Sequence, residues 1–233
     1  MWMSVSENGI FKLWDSENKL QTRLSLLENS TESDYATAAA FATNGELIAL
    51  AKNDDTVRLI NHSGRAKPDV LAGHNQGISV LAFSPDNDTF AIGSNDSKIT
   101  LWNRNEDYLK TLEGHSGGIL SMAFSSNSTI LASSSSGGSL RLWSQHGNLL
   151  NILDDEKDNR PADVWSMAFS PVSNTLATAG ISGFIEVWEL DPQQLMDWNC
   201  NWLQDYLLST PAGKDAAAEG ICQDFLPARP AKD

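Results

Sequence analysis

From Gly73 onward the chain alternates short apolar runs with short polar turns. The run Ile78 to Phe83 ends in Ser84-Pro85-Asp86, Thr89 to Gly93 leads to Asn95-Asp96-Ser97, Ile99 to Leu101 ends in Trp102-Asn103, and Tyr108 to Leu112 completes the unit. Runs this short, rich in branched and aromatic residues and bounded by Asn, Asp, Ser, Pro and Gly, predict β-strands. The next segment repeats the plan: Gly114-His115, Ile119 to Phe124, Ile130 to Ala132, Ser139 to Trp143, Leu149 to Leu153. The interval from His to Trp is 28 residues in both units, His74 to Trp102 and His115 to Trp143. Extended in both directions, the strand-ending position falls at Trp14, Ile60, Trp102, Trp143 and Trp188, at spacings of 46, 42, 41 and 45.

Self-similarity at a period of about forty residues, with four strands per unit, is the mark of a β-propeller blade. Four twisted strands cannot bury both faces alone, so each unit must lean on its neighbours. The first unit is incomplete: Trp2 to Val5 and Ile10 to Trp14 read as its second and third strands and Leu20 to Leu27 as its fourth. The second has Ala36 to Phe41, Glu46 to Ala51 and Thr56 to Ile60, with a weak outer strand near Val70. The fifth has Val164 to Phe169, Thr175 to Ala179 and Phe184 to Trp188, after which Asp191-Pro192 ends the β pattern. Leu195, Trp198, Trp202 and Tyr206 then recur at spacings of three and four, which predicts an amphipathic helix. Lys214 to Phe225 reads as a second short helix.

On the Gly-His pairs, the strand-ending Trp and the fixed interval between them, residues 1 to 190 resemble the WD40-repeat proteins. The expected fold is all-β: an incomplete, open-arc WD40 β-propeller of about five blades, the first and last incomplete, followed by a C-terminal α-helical tail. The blades are expected at 1–28, 29–72, 73–113, 114–153 and 154–190, and the tail at 191–233. The stretch Trp198 to Leu207 is similar to the tail of many large cyanobacterial WD40 proteins. There it often follows a chain that carries an N-terminal NTPase-type signalling domain.

Charge narrows the partners. Sixteen Lys and Arg stand against 30 Asp and Glu, a net charge of −14. A surface that displaces counterions from phosphate needs clustered cations, so neither nucleic acid nor a membrane is an expected partner. No apolar run approaches the roughly 20 residues of a bilayer span. Met1-Trp2-Met3-Ser4 does not open a secretory signal, so a cytoplasmic location is expected, with Cys200 and Cys222 as free thiols. No Cys/His cluster has zinc spacing, and the acidic run Asp154 to Asp158 lacks the Gly and the final Glu of a calcium loop. No metal and no cofactor are expected.

In the family a polar relay ties each blade together, because a His buried between blades needs both ring nitrogens satisfied. The His of Gly-His meets an Asp in the turn before the third strand, and a Ser or Thr of the second strand meets that His and the Trp. Carried over residue by residue, the third blade has His74, Asp96 and Trp102, with Ile92 where Ser or Thr belongs. The fourth has His115, Ser133 and Trp143, with Gly137 at the Asp position. The fifth has Thr178 and Trp188 with Ser182 at the Asp position, and the second keeps Asp54 alone. No blade is expected to hold a complete relay. His74 and Asp96 are not expected to be catalytic, since no Ser or Cys nucleophile stands beside them.

Alignment of the first strands puts Thr37, Ser79, Leu120 and Trp165 at one rim position, and alignment of the turns puts Asn53, Asn95, Ser136 and Ile181 at another. The resemblance implies that such positions contact partners, and apolar Leu120 and Trp165 are unlike a merely solvated rim. The expected function is a non-catalytic protein–protein interaction scaffold. One alternative is the C-terminal sensor or regulatory part of a larger signalling NTPase–WD40 protein. Another, from a different class, is a propeller hydrolase or lyase, which would need charged side chains converging on the hub. An arc short of a ring also predicts self-association, or pairing with a missing N-terminal portion of the propeller.

Overall fold

The computed structural model describes residues 2–6, 10–15, 17–25, 35–61, 66–71, 73–153 and 163–190. The expected helical tail, Cys200 and Cys222, and the acidic run after Leu153 lie outside the described residues. Everything described is strand, turn or connection. Five antiparallel sheets follow one another along the chain. The first holds β1 (Trp2–Val5), β2 (Ile10–Trp14) and β3 (Leu20–Ser25). The second holds β4 (Ala36–Phe41), β5 (Leu47–Lys52), β6 (Val57–Asn61) and β7 (Ala66–Leu71). The third holds β8 (Ile78–Phe83), β9 (Thr89–Ser94), β10 (Ile99–Asn103) and β11 (Tyr108–Leu112), and the fourth β12 (Ile119–Phe124), β13 (Ile130–Ser135), β14 (Leu140–Ser144) and β15 (Leu149–Leu153). The fifth holds β16 (Val164–Phe169), β17 (Thr175–Gly180) and β18 (Ile185–Glu189). In every sheet the order in space is the order in sequence, as in a propeller blade.

Blades two to five pack in series through their inner strands: β4 lies against β8, β8 against β12, and β12 against β16. The second strand of each blade makes this contact close, because it alternates large and small side chains along the two faces of the pleat. In β9, Phe90 and Ile92 point to the second blade, where Ala49, Ala51, Val57 and Leu59 meet them. Ala91 points the other way, into the cluster shared with Ile119, Met122 and Phe124 of the fourth blade. Gly93 lies on that side too, and a Cβ there would come within 2.9 Å of Ile119 Cγ2. The same small face recurs as Ala49 and Ala51 in β5, Ala132 and Ser134 in β13, and Ala177 and Ala179 in β17. Ser134 uses its place to donate a hydrogen bond to the Val164 carbonyl of the next inner strand, at 2.7 Å.

The third strand completes the downstream face. Ile99 and Leu101, and Leu140 and Leu142, are buried. Ile185 and Val187 occupy the same register positions in β18 and are 75% and 64% exposed. Among the described residues, a following inner strand lies beyond the third and fourth sheets and none lies beyond β18, which is also the last strand described in its sheet. Leu101→Ala should destabilise the protein by about 2–5 kcal/mol through the cavity it leaves. Val187→Ala should change stability by no more than about 0.5 kcal/mol. Urea denaturation of the two variants checks both values.

Candidate functional site

The rim positions have a common backbone origin. Each inner strand carries one register shift against its second strand, and the extra residue is the second of the strand. Ala36 and Ala38 pair with Lys52 and Ala51, which leaves Thr37 over. Ser79, Leu120 and Trp165 are left over in the same way, between Ile78 and Val80, Ile119 and Ser121, and Val164 and Ser166. A bulge adds one residue without a ladder partner and re-aims its side chain. Trp165 is 60% exposed, Thr37 is exposed and Leu120 is half-buried. Ser79 turns inward, where its hydroxyl lies 2.6 Å from the Ile119 carbonyl of the next blade.

The second set of rim positions is held beside the first by a repeated main-chain bond. The N–H of Asn53, Asn95, Ser136 and Ile181 donates to the carbonyl of Tyr35, Gly77, Gly118 and Asp163, the residue just before each inner strand. The turn holding these residues ends at a left-handed position, occupied by Asp55, Ser97, Gly138 and Gly183. Asn95, Ser136 and Ile181 are exposed and Asn53 is half-buried. The two sets therefore share one end of the blades, and they present amides, hydroxyls and the apolar surfaces of Trp165 and Ile181.

Behind the rim lies the relay, and the third blade overturns the expectation that none is complete. His74 Nδ1 faces Asp96 Oδ2 at 3.0 Å, and His74 Nε2 faces Thr100 Oγ1 at 3.0 Å. Trp102 Nε1 donates to the same Thr100 oxygen at 2.9 Å. Thr100 does this from the third strand because it is the cross-strand partner of Ile92, the position where a hydroxyl was expected. Directly opposed positions share one face of the pair, so a hydroxyl on either strand reaches the same place. The sequence signal was present: Thr100 is two residues before Trp102 and therefore on its face.

In the fourth blade the hub is Ser133 on the second strand, and Arg141 stands at the position of Thr100. Trp143 Nε1 donates to Ser133 Oγ at 2.8 Å, and the Ser133 hydroxyl in turn faces His115 Nε2 at 2.7 Å. His115 Nδ1 meets Ser139 Oγ at 2.7 Å. Ser139, two residues beyond Gly137, thus fills the place of the missing Asp. Arg141 Nη2 donates to the Gly114 carbonyl at 2.8 Å. Burial, and next the Arg141 charge, push the His115 pKa down to about 4. The first blade holds a fragment of the same device, with Trp14 Nε1 donating to Ser4 Oγ at 3.2 Å. Thr178 is buried in β17 and Trp188 is half-buried in β18. Asp54 has no His to meet and instead accepts from Lys52 Nζ at 2.7 Å and from the N–H of Thr56.

Among the described residues no group of three or more His, Cys, Asp or Glu is placed to hold a metal ion. No helix among them is long and apolar enough to cross a membrane. The family model described as "WD domain, G-beta repeat" matches residues 67–103, 106–144 and 149–189, together half of the chain. Among curated proteins the chain is similar to the "Probable cytosolic iron-sulfur protein assembly protein 1" of Yarrowia lipolytica, at 31% identity over 77 residues. That match covers 32% of this chain and 23% of the length of that relative.

Two outcomes follow from the relay. Thr100→Val should cost about 1–3 kcal/mol, because it strands the His74 ring and the Trp102 N–H in a buried place. Adding Ile92→Ser, which returns a hydroxyl from the opposed strand, should recover part of that loss in chemical denaturation. His115 has a folded pKa below its unfolded value of 6.5. Its contribution is therefore present in full above pH 6.5 and is lost as the pH falls toward 4. Melting temperatures measured across this window should fall with acid, and His115→Gln should flatten that part of the curve.

Proposed function

The chain belongs to the WD40 family, and from that premise we propose that it is a non-catalytic scaffold that docks protein partners on the bulged rim. Thr37, Leu120 and Trp165 and the turn residues Asn53, Asn95, Ser136 and Ile181 form the docking set, and Ser79, expected among them, is tied to the Ile119 carbonyl instead. The observation that carries this reading is Trp165, a large aromatic lifted out of the ladder by a bulge and left 60% exposed. Exposed aromatics on a rigid frame are effective anchors, since they bring much contact area at small entropic cost. No charged side chain stands in either rim set, so hydrolase or lyase chemistry has no support from these positions. The similar Yarrowia lipolytica protein is an assembly protein by name.

The blades are proposed to form an open arc over 1–190, incomplete at the first and last blades, with a tail at 191–233. The downstream face of β18, which no described strand covers and where Ile185 and Val187 are exposed, favours a second reading, in which another portion of propeller completes the arc. That portion is either part of a longer signalling NTPase–WD40 protein or a second copy. A cytoplasmic location belongs to both readings. Affinity capture from a lysate, with the native chain, Trp165→Ala and Leu120→Ala compared, tests the rim. The variants should lose partners that the native chain retains. A partner list identical for all three would remove the rim from the account.

A further inference from the structure

A cavity of about 400 Å³ opens between the second and third blades, at the ends of the inner strands away from the rim. Its apolar lining includes Leu59, Phe83 and Phe90, and the two Phe rings meet at a tilt of 36° with centroids 4.7 Å apart. The next junction shows why it is open. Between the third and fourth blades the β14–β15 turn seats Gly147 against β10 and β11, so closely that a Cβ would lie 2.6 Å from Leu112 Cδ2. Gly147 has φ 73°, and the equivalent turn residue of the third blade is Glu106, at φ 71°. A residue with a side chain cannot take the seat that Gly147 takes. The corresponding space at the second blade is therefore left open among the described residues.

The walls are rich in pre-set donors. Asn44 Nδ2 donates to Glu46 Oε2 at 3.0 Å, Asn87 Nδ2 to the Pro85 carbonyl at 3.2 Å, and Asn103 Nδ2 to Asp107 Oδ2 at 2.9 Å. Each carboxamide nitrogen has two hydrogens, so each keeps one beyond these bonds. Their oxygens are also engaged by the turns, by the N–H of Glu46, by Thr43 and by the N–H of Asn105. Side chains held in this way lose little freedom on binding. Arg104 adds an exposed guanidinium, paired with Asp88 only at 3.6 Å.

We propose that this cavity is a second docking site, for an extended peptide segment that seats one large apolar side chain on Phe83 and Leu59 and offers its main-chain carbonyls to the Asn amides. The volume lies within the range of small-ligand sites and accommodates one such side chain with its flanking peptide groups. The proposal rests on the reading of the chain as a protein-binding scaffold, but it uses none of the rim residues.

The test is titration of the isotope-labelled full chain, followed by amide chemical shifts. The probes are acetyl-Gly-Gly-Phe-Gly-Gly-amide, the all-glycine pentapeptide and methyl glucoside. The Phe peptide should shift the amides of residues 42–47, 83–90 and 103–105 saturably, and the all-glycine peptide should bind at least about tenfold more weakly. Asn105→Trp at the mouth should weaken the Phe peptide at least about tenfold at an unchanged melting temperature. Arg104→Ala should weaken it as well, and Trp165→Ala should leave it unaltered. Absence of saturable shifts, equal binding of the glycine peptide or indifference to both mouth variants overturns the proposal. So does tighter binding of methyl glucoside at the same amides. A failure of the rim appears in the capture experiment instead, so the two readings fall separately.

Discussion

From the second blade to the fifth, each junction depends on the close approach of one inner strand to the small side chains of the second strand before it. Alanine and glycine at 49, 51, 91 and 93 are no local preference, since strands favour branched residues and glycine weakens them. They are there because the partner lies closer than a larger side chain allows, as the 2.9 Å between a Cβ at Gly93 and Ile119 shows. The opposite face of the same strand is then free to carry the bulk, Phe90 and Ile92 in the third blade. Small on one face and large on the other gives each blade a direction, and the series can be assembled in one order only.

The polar relay is subordinate to this packing. Apolar burial positions the strands, and the relay satisfies the groups that become buried with them. This explains why its chemistry tolerates exchange. A hydroxyl at Thr100 serves as well as one at Ser133, since each occupies one of two directly opposed positions. Ser139 replaces an acidic turn residue for His115, whose ring needs an acceptor for one N–H and nothing charged. An unmet ring nitrogen there would cost about as much as a lost core methylene or more. The requirement therefore selects a hydrogen-bonding group at a place in space, and the choice of strand is left open.

The same distinction marks what could be read from the sequence. The strands were legible because alternation and turn residues are local signals, and the repeat interval phased them. The rim positions were also found by phasing, but the reason they stand apart was not. A bulge is a mismatch of register between two strands, and nothing at Thr37 or Trp165 alone announces it. Thr100 was missed because the relay was sought at fixed family positions, although its spacing from Trp102 already placed the two on one face. The Ser4–Trp14 pair was missed because the first blade has no Gly-His pair to prompt the search. The cavity was illegible for a different reason. It depends on the contrast between Gly147 and Glu106, whose significance appears only when each turn is seen against the blade before it.

A directional stack also separates the positions that hold the blades together from those that stand outside the pairing. Substitution on the small face affects two blades at once, because the neighbour's inner strand lies directly on it. Substitution at a bulge residue affects no ladder pair, because the bulge has already removed that residue from the pairing. The rim can therefore carry Thr, Ser, Leu or Trp at one position while the flanking pairs remain in register. Ser79 shows the limit of that freedom, since a short polar side chain there turns back to the Ile119 carbonyl and becomes part of the junction. Trp165 is too large and too apolar for that return, and so the one geometry yields a structural tie in the third blade and an exposed aromatic in the fifth.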